Sequence, residues 1–359
     1  PAFIEHIAFL GSTGAGKTWA AKTAVELLFG RADAKICIVD PTSAWYGLRL
    51  CRDGKHQGLT FVILGGDHGD APLTEHNGEA VAGLVVEGRH QYVIDISTML
   101  LSEQRRFMTA FAEHIFKLNR NPLHLVIDEA DSFMPQKPMR DQTLMLNRMD
   151  RLVRRGRSRG FRIMLLSQRP AVLNKDSLSQ VGTLVAMRLR SPQDRAAIEA
   201  WIEGQADKKR GKAIVDSLPG LKRGEAWVWS PGHEILERVQ FPEIMTFDSS
   251  ADPVGGQTVT IGRWTDGMDA IDEALGINDG DSGETAADIQ KPTVVTPTVP
   301  ITMVHEADRA GYERGLKEGR NAGIAEVMEI VGELREAHTT HADLVNNIIL
   351  KMGRTEVKG

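Results

Sequence analysis

Cysteine is scarce in this 359-residue chain, and the two present cannot brace it. Cys37 lies inside an apolar run and Cys51 in a polar stretch, and neither has a CxxC or Cys/His partner nearby. A disulfide framework and a Cys-based zinc module are therefore excluded, and reduced thiols in a cytoplasmic protein are expected. Eleven histidines are scattered without metal-ligand spacing. Aromatic residues make up 6% and do not alternate with basic ones, which argues against a stacking platform for single strands. No helix-turn-helix, zinc module or RNP motif is present, so a sequence-specific reader of nucleic acid is not expected. No run approaches the eighteen apolar residues of a membrane span, and the first residues read as a strand instead of a charged-then-apolar leader. The expectation is no membrane partner and a cytoplasmic location.

What is present is an ordinary globular composition, 42% hydrophobic and 25% charged, with a net charge of −5. That net charge is unevenly distributed. Residues 248–291 hold ten acids against two bases, whereas from Arg140 to Arg169 nine arginines stand against two aspartates. The acidic sum therefore leaves room for a basic working surface.

The most informative stretch is Gly11-Ser12-Thr13-Gly14-Ala15-Gly16-Lys17-Thr18, which fulfils GxxxxGK(S/T). The apolar run Ile7–Leu10 before it reads as a strand, and Trp19 to Phe29 after it as a helix. Glycines let successive N–H groups turn inward and cradle phosphate oxygens at the positive end of that helix. Gly14, Ala15, Gly16, Lys17, Thr18 and Trp19 are accordingly the expected ATP-binding residues. Lys17 would reach the terminal phosphates, and the Thr18 hydroxyl would hold Mg²⁺.

Up to about residue 247, apolar runs alternate with helical patterns, which predicts an α/β fold with a mostly parallel central sheet. Expected strands are 4–10, 36–40, 60–64, 92–96, 124–128, 162–167, 183–189 and 226–230. Expected helices are 17–29, 78–88, 102–119, 143–155 and 193–203. Residues 248–303 are rich in Asp, Gly, Thr and Pro and read as a flexible acidic linker, with a short helix around Met268–Leu275. From 304 to 359 helical periodicity returns. Ile324, Val327, Val331, Leu334, Val345, Ile348 and Met352 form an approximate heptad broken by His338 and His341. This suits either a solvated helix with one partner-facing stripe or a self-associating coiled coil.

Two further elements complete the expected site. Leu123–Ile127 reads as a buried strand ending in Asp128 and Glu129. The first acid is expected to orient Mg²⁺ and the second, on the other side of the strand end, to polarise the attacking water. The strand 162–166 leads into Ser167-Gln168, and a glutamine there can touch both the γ-phosphate and the lytic water.

Gly11–Thr18, Leu125–Asp131, Gly156–Gly160 and Leu166–Pro170, followed by Leu178-Ser179-Gln180, together resemble the HerA/FtsK superfamily of RecA-like DNA motors. The likeness is greatest to the HerA branch, where the second strand also ends in Asp-Pro, here Asp40-Pro41, before a loop with an aromatic. It covers about residues 3–245. The resemblance implies a homo-oligomer, a hexameric ring, with each ATP site at a subunit boundary and completed by a neighbour's arginine. Arg157 matches the position of that finger. It also implies non-sequence-specific duplex DNA threaded through a central channel, for which the loop Asp131–Asp141, with Lys137 and Arg140, is the candidate contact. Two departures stand out. The small β-barrel that precedes the motor in HerA proteins has no room in this sequence, and the family's Gly-Arg-Lys appears as Gly156-Arg157-Ser158.

The leading expectation is an ATP-hydrolysing ring motor on duplex DNA, with viral genome packaging a variant of the same motor. The alternative is a nucleotide-gated scaffold that recruits a nuclease or other effector through the C-terminal helix. A small-metabolite kinase is disfavoured by the adjacent Asp-Glu pair and the arginine tract.

Overall fold

Short runs rich in Ile, Val, Leu and Phe form one sheet. The computed structural model describes residues 5–31, 34–203, 208–250 and 261–277. Its strands are β1 (Ile7–Leu10), β2 (Ile36–Asp40), β3 (Phe61–Leu64), β4 (Gln91–Asp95), β5 (Leu123–Ile127), β6 (Phe161–Ser167), β7 (Thr183–Met187), β8 (Glu225–Ser230) and β9 (Ile235–Gln240). They lie in the order β3-β4-β2-β5-β6-β1-β7-β8-β9. The first seven in that row pair in parallel, and β8 and β9 add an antiparallel end. Strands β1, β2, β3, β5 and β7 are buried along their whole length. That burial on both faces is why their sequences are continuous apolar runs without alternation.

The helices are α1 (Lys17–Phe29), α2 (Gly78–Glu87), α3 (Leu101–Leu118), α4 (Ala130–Phe133), α5 (Thr143–Arg155), α6 (Lys175–Leu178), α7 (Pro192–Glu203), α8 (Lys208–Ser217) and α9 (Met268–Leu275). One face of the sheet is covered by α2, α3, α5, α7 and α8, whose Val81, Val85, Phe107, Phe111, Met149, Leu152, Ile198 and Ile214 join a single apolar core. The other face is covered by α1 and the loop after β2, through Ala20, Ala21, Val25, Leu28, Trp45 and Leu48.

Helix α1 is enclosed on its outer side as well, and its polar residues have partners there. The buried Glu26 carboxylate accepts the N–H groups of Met245 and Thr246 and the Thr246 hydroxyl. Lys22, fully buried, donates to Ser249 Oγ at 3.0 Å and to the Phe247 carbonyl. Buried charge is tolerated only with such partners. The segment 242–249 is thereby strapped along the phosphate-loop helix.

The α/β expectation holds, and α1, α5 and the helix at Met268–Leu275 have the expected limits. The expected strand 183–189 ends at Met187. Strand β9 and helix α8 have no counterpart in the sequence reading. β9, ILERVQ, is an edge strand of mostly intermediate burial and carries no strong apolar pattern. Helix α8 contains Gly211, a weak helix former. A Cβ there would meet Ile202 Cγ2 at 2.4 Å, so close packing on α7 requires glycine. Residues 261–277, inside the stretch read as a linker, pack on the same face as α2. Met268, Ile271 and Leu275 are buried, and Trp264 N donates to Asp70 Oδ1 at 2.6 Å. Averaging composition over 248–303 hid these few apolar positions. The approximate heptad and the proline-rich end of the linker lie outside the described residues.

Candidate nucleotide site

The site forms where β1 ends between its two neighbours. Leu10 is level with Ser167 of β6 and with Ala186 of β7. The chain leaving β1 therefore turns over the sheet edge between Gln168 and Arg188. Gly11 N donates to Ser167 O at 3.2 Å, and Ser12 N and Oγ both donate to Arg188 O. Gly14 (φ 73°) and Gly16 (φ 95°) occupy the left-handed region, where a side chain would be strained. A Cβ at Gly16 would also meet Gly224 N at 3.0 Å, and Gly224 N in turn donates to Ala15 O at 2.9 Å. Helix α1 begins at Gly16 with no side-chain cap. Its first N–H groups are thus directed at the space inside the loop, the arrangement that suits a phosphate.

Lys17 and Glu129 meet across this space, Nζ to Oε1 at 3.9 Å. Glu129 adopts φ 45° and ψ 47°, a conformation that costs a non-glycine residue on the order of 1–3 kcal/mol. Its N–H is held by Asp128 Oδ1 at 2.9 Å. Burial pushes the Glu129 carboxyl up to about 7, against the lowering influence of Lys17 and Gln168, with Asp128 and Asp131 adding to the rise. Gln168 accepts from Thr13 Oγ1 at 2.5 Å. The expected Lys17, Glu129 and Gln168 are therefore gathered around one phosphate loop.

Asp128 is 2% exposed and sits deeper. Its Oδ2 accepts the indole N–H of the buried Trp45 at 2.9 Å. Trp45 N donates to Asp40 Oδ2 at 2.8 Å, and Ser249 Oγ ties down the same loop by donating to Ala44 O and accepting from Gly47 N. Burial, followed by the nearby Asp95 and Asp128, pushes Asp40 up to about 7. Burial likewise brings Lys22 down to about 8. Among the described residues no cluster of three or more His, Cys, Asp or Glu could hold a metal alone. The Asp128 carboxylate and the Thr18 hydroxyl are oxygen donors of the kind Mg²⁺ takes, alongside phosphate oxygens and water.

The side chains of two further expected residues lie outside the space within the loop. The Trp19 indole N–H donates to Pro242 O at 2.7 Å, so the ring is engaged with the strap. Arg157 begins the short turn before β6 and is exposed. The seven residues of β6 separate it from Gln168, roughly 20 Å at about 3.3 Å per residue. Within one chain Arg157 stays away from the phosphate loop. Its neighbours Arg148, Arg151 and Arg159 are engaged with α3: Arg148 pairs with Glu113 at 3.2 Å, and Arg151 and Arg159 lie over Phe116. In the loop after α4, Lys137 and Arg140 are exposed, while Gln136 N is held by Val172 O.

Arg188 is the contact that the sequence reading missed. It stands one residue past β7, as Gln168 stands one residue past β6. Extending the strand to Leu189 assigned it to sheet, and only the end of β7 at Met187 frees it.

Residues 2–67 match the family described as Helicase HerA, central domain. The chain is 29% identical over 153 residues to the probable DNA double-strand break repair helicase HerA of Methanocaldococcus jannaschii, covering 42% of this chain and 28% of that protein. It is 28% identical over 167 residues to the DNA double-strand break repair helicase HerA of Pyrococcus furiosus, covering 44% of this chain and 29% of that one. The chain thus spans under a third of the length of these relatives. Among solved structures, the genome packaging NTPase B204 of Sulfolobus turreted icosahedral virus 2 aligns with a TM-score of 0.43 at 14% identity, over 65% of this chain and 96% of that one. The bacterial conjugative coupling protein TrwB aligns with a TM-score of 0.47 at 13% identity, over 69% and 87%. No described helix is long and apolar enough to cross a membrane. The resemblance carried by the phosphate loop, the Asp-Glu strand end and the glutamine after β6 is thus to the HerA helicases, over residues 2–67 for the family model and under half of the chain for the relatives.

Proposed function

We propose that the protein hydrolyses ATP and couples hydrolysis to movement along duplex DNA, as the names of its HerA relatives suggest. The observation that carries the hydrolytic part is Glu129, a strained carboxylate raised to about 7 and poised 3.9 Å from the phosphate-loop lysine. An acid with that value gains its base form near neutral pH, which is what activation of water requires. Lys17 and the uncapped start of α1 would neutralise the phosphates. Thr18 and Asp128 would hold Mg²⁺, which supplies charge stabilisation to the transferring phosphoryl group. Gln168 would register the terminal phosphate.

Arg157 would act on the site of a neighbouring subunit in a ring, a hexamer by the family resemblance. Its distance from its own phosphate loop supports a role between chains. Lys137 and Arg140 on the exposed loop after α4 would meet the DNA backbone, giving affinity that falls with salt. The alternative, a nucleotide-gated scaffold recruiting a nuclease or other effector, draws on the strap at 242–249. That segment links the chain beyond it to α1 and the Trp45 loop.

The deciding measurement is ATPase activity with and without linear duplex DNA over a salt series, alongside native mass spectrometry with ATP and Mg²⁺. DNA stimulation that fades with salt, together with a ring, supports the motor. Activity indifferent to DNA with a ring intact supports the scaffold. No ring and no DNA binding refutes both.

A further inference from the structure

Gln168 approaches the phosphate loop from the β6 side, and Arg188 approaches the same loop from the β7 side. Gln168 receives the Thr13 hydroxyl at 2.5 Å, and Arg188 Nη2 donates to the next residue, Gly14 O, at 3.0 Å. Two adjacent residues at the exposed tip are therefore held by the first side chain beyond each flanking strand. The register explains the match. Leu10 is level with Ala186, so Arg188, two residues on, lies level with Ser12 and alongside the loop.

Arg188 is also electrically unfinished. Among the described residues it has no carboxylate within ion-pair distance, and its Nε is buried without a hydrogen-bond partner. A buried guanidinium N–H left unmatched is costly, and such a donor is retained where something else supplies the acceptor. The loop that it touches is built to receive phosphate, whose oxygens suit the planar fork of arginine. Lys22 lies on α1, Asp40 ends β2 and Asp128 follows β5, and their partners are Ser249, Trp45 and Glu129 N–H.

We propose that Arg188 is a same-chain ligand of the terminal phosphate, distinguishing a nucleoside triphosphate from a diphosphate at the tip formed by Thr13 and Gly14. The inner phosphates fall to the start of α1, and the terminal phosphate is shared between Lys17, beside Glu129, and the tip gripped by Gln168 and Arg188. The proposal rests on the nucleotide-binding reading above. It differs from the role given to Arg157, which lies at the other end of β6.

The test is equilibrium binding by calorimetry of two probes with Mg²⁺, ADP and the non-hydrolysable analogue AMPPNP, to the wild-type protein and to two variants. Arg188→Ala removes both charge and clamp. Arg188→Gln keeps an N–H able to donate to Gly14 O but removes the charge, and protects the test if the alanine variant fails to fold. Both should lose roughly tenfold or more in AMPPNP affinity, as expected for a charge-assisted contact, with ADP affinity changed by less than about threefold. Equal losses for the two nucleotides, or wild-type AMPPNP affinity in Arg188→Gln, would reduce Arg188 to a loop clamp and overturn the proposal. Wild-type protein that binds neither probe would instead overturn the nucleotide site itself. That failure is seen in the wild type alone and is distinct from failure at Arg188.

Discussion

The two ends of the sheet treat charge in opposite ways. At the end where β1, β2, β5, β6 and β7 finish, charges are buried, crowded or unmatched. Asp40 and Glu129 are both raised to about 7, Glu129 is backbone-strained, and Arg188 has an unpartnered N–H. Along the arginine-rich stretch that descends to the opposite end, charges are numerous but mostly satisfied. Arg148 pairs with Glu113, though its Nε makes no hydrogen bond, and Arg154 pairs with Asp150 and Asp176, while Arg151 and Arg159 cover Phe116. The density of arginine is thus largely structural, anchoring α5 and its following turn to α3 and α6. Uncompensated charge is concentrated where the proposed site lies, and a bound anion, metal or water there would complete the electrostatics. Between Arg148 and Arg159 that criterion leaves Arg155 and Arg157, both exposed and without an ion pair among the described residues.

The largest effect should come from Glu129→Gln. Turnover should fall by roughly 10²–10⁴-fold while ATP remains bound, measured by single-turnover hydrolysis and filter binding. Rapid turnover by this variant would remove Glu129 as the base. In the wild type, kcat/KM should climb as pH rises through about 7, where Glu129 loses its proton, and Glu129→Gln should lack that limb.

Arg157→Ala puts the opposite end of the sheet to the test. Nucleotide affinity should change little and turnover should fall by about 10³-fold, the scale of arginine fingers in other phosphoryl-transfer systems. Mixing this variant with Lys17→Ala should restore part of the ATPase signal if the arginine serves a neighbour. Absence of rescue at every mixing ratio would leave the unmatched arginine without its proposed partner.

Asp40 tests whether buried charge at the site end is held at a cost to stability. Its carboxyl is raised from 3.8 to about 7, so the native state retains a proton that the unfolded chain releases above about pH 4. Its favourable contribution is complete below the unfolded value and is lost as pH rises through about 7, on the order of a few kcal/mol. Urea unfolding at pH 5 and pH 8 should show that decline in the wild type, and Asp40→Asn should flatten it. An unchanged slope would mean that Lys22 and the surrounding donors already stabilise the anion.

The smallest effect is expected from Arg154→Ala. Its two ion pairs are partly exposed, 44% at Arg154 and 72% at Asp176, so the loss in unfolding free energy should stay below about 1 kcal/mol. ATPase activity should be unaltered. A marked loss of activity would show that a paired arginine in this stretch also works in catalysis.

The phosphate loop, the Asp-Glu pair and Gln168 were legible because each stands next to a continuous apolar run that announces itself as a strand. β9 and α8 were not. One is a half-buried edge strand, and the other needs Gly211 to fit beside Ile202, a contact 9 residues away in sequence but decided by packing. Trp45 was visible only as an aromatic after Asp40-Pro41; its hydrogen bond to Asp128 spans 83 residues. Arg188 was concealed inside an apolar run whose end could not be located from Thr183 to Leu189 alone.

Local sequence by itself determined the α/β class, the phosphate loop and the two acids, since these depend on residues adjacent in the chain. Glycine permits the loop's left-handed turns, and continuous apolar runs require a doubly covered parallel sheet. Tertiary structure alone decided which side chains share the site. Placing β1 between β6 and β7 brings Gln168 and Arg188 to the same loop from residues 155 and 174 positions away, and the same sheet holds Arg157 at its far end. The physical reason is register. Parallel pairing sets strand ends level with one another, and no local pattern encodes which strands will be neighbours.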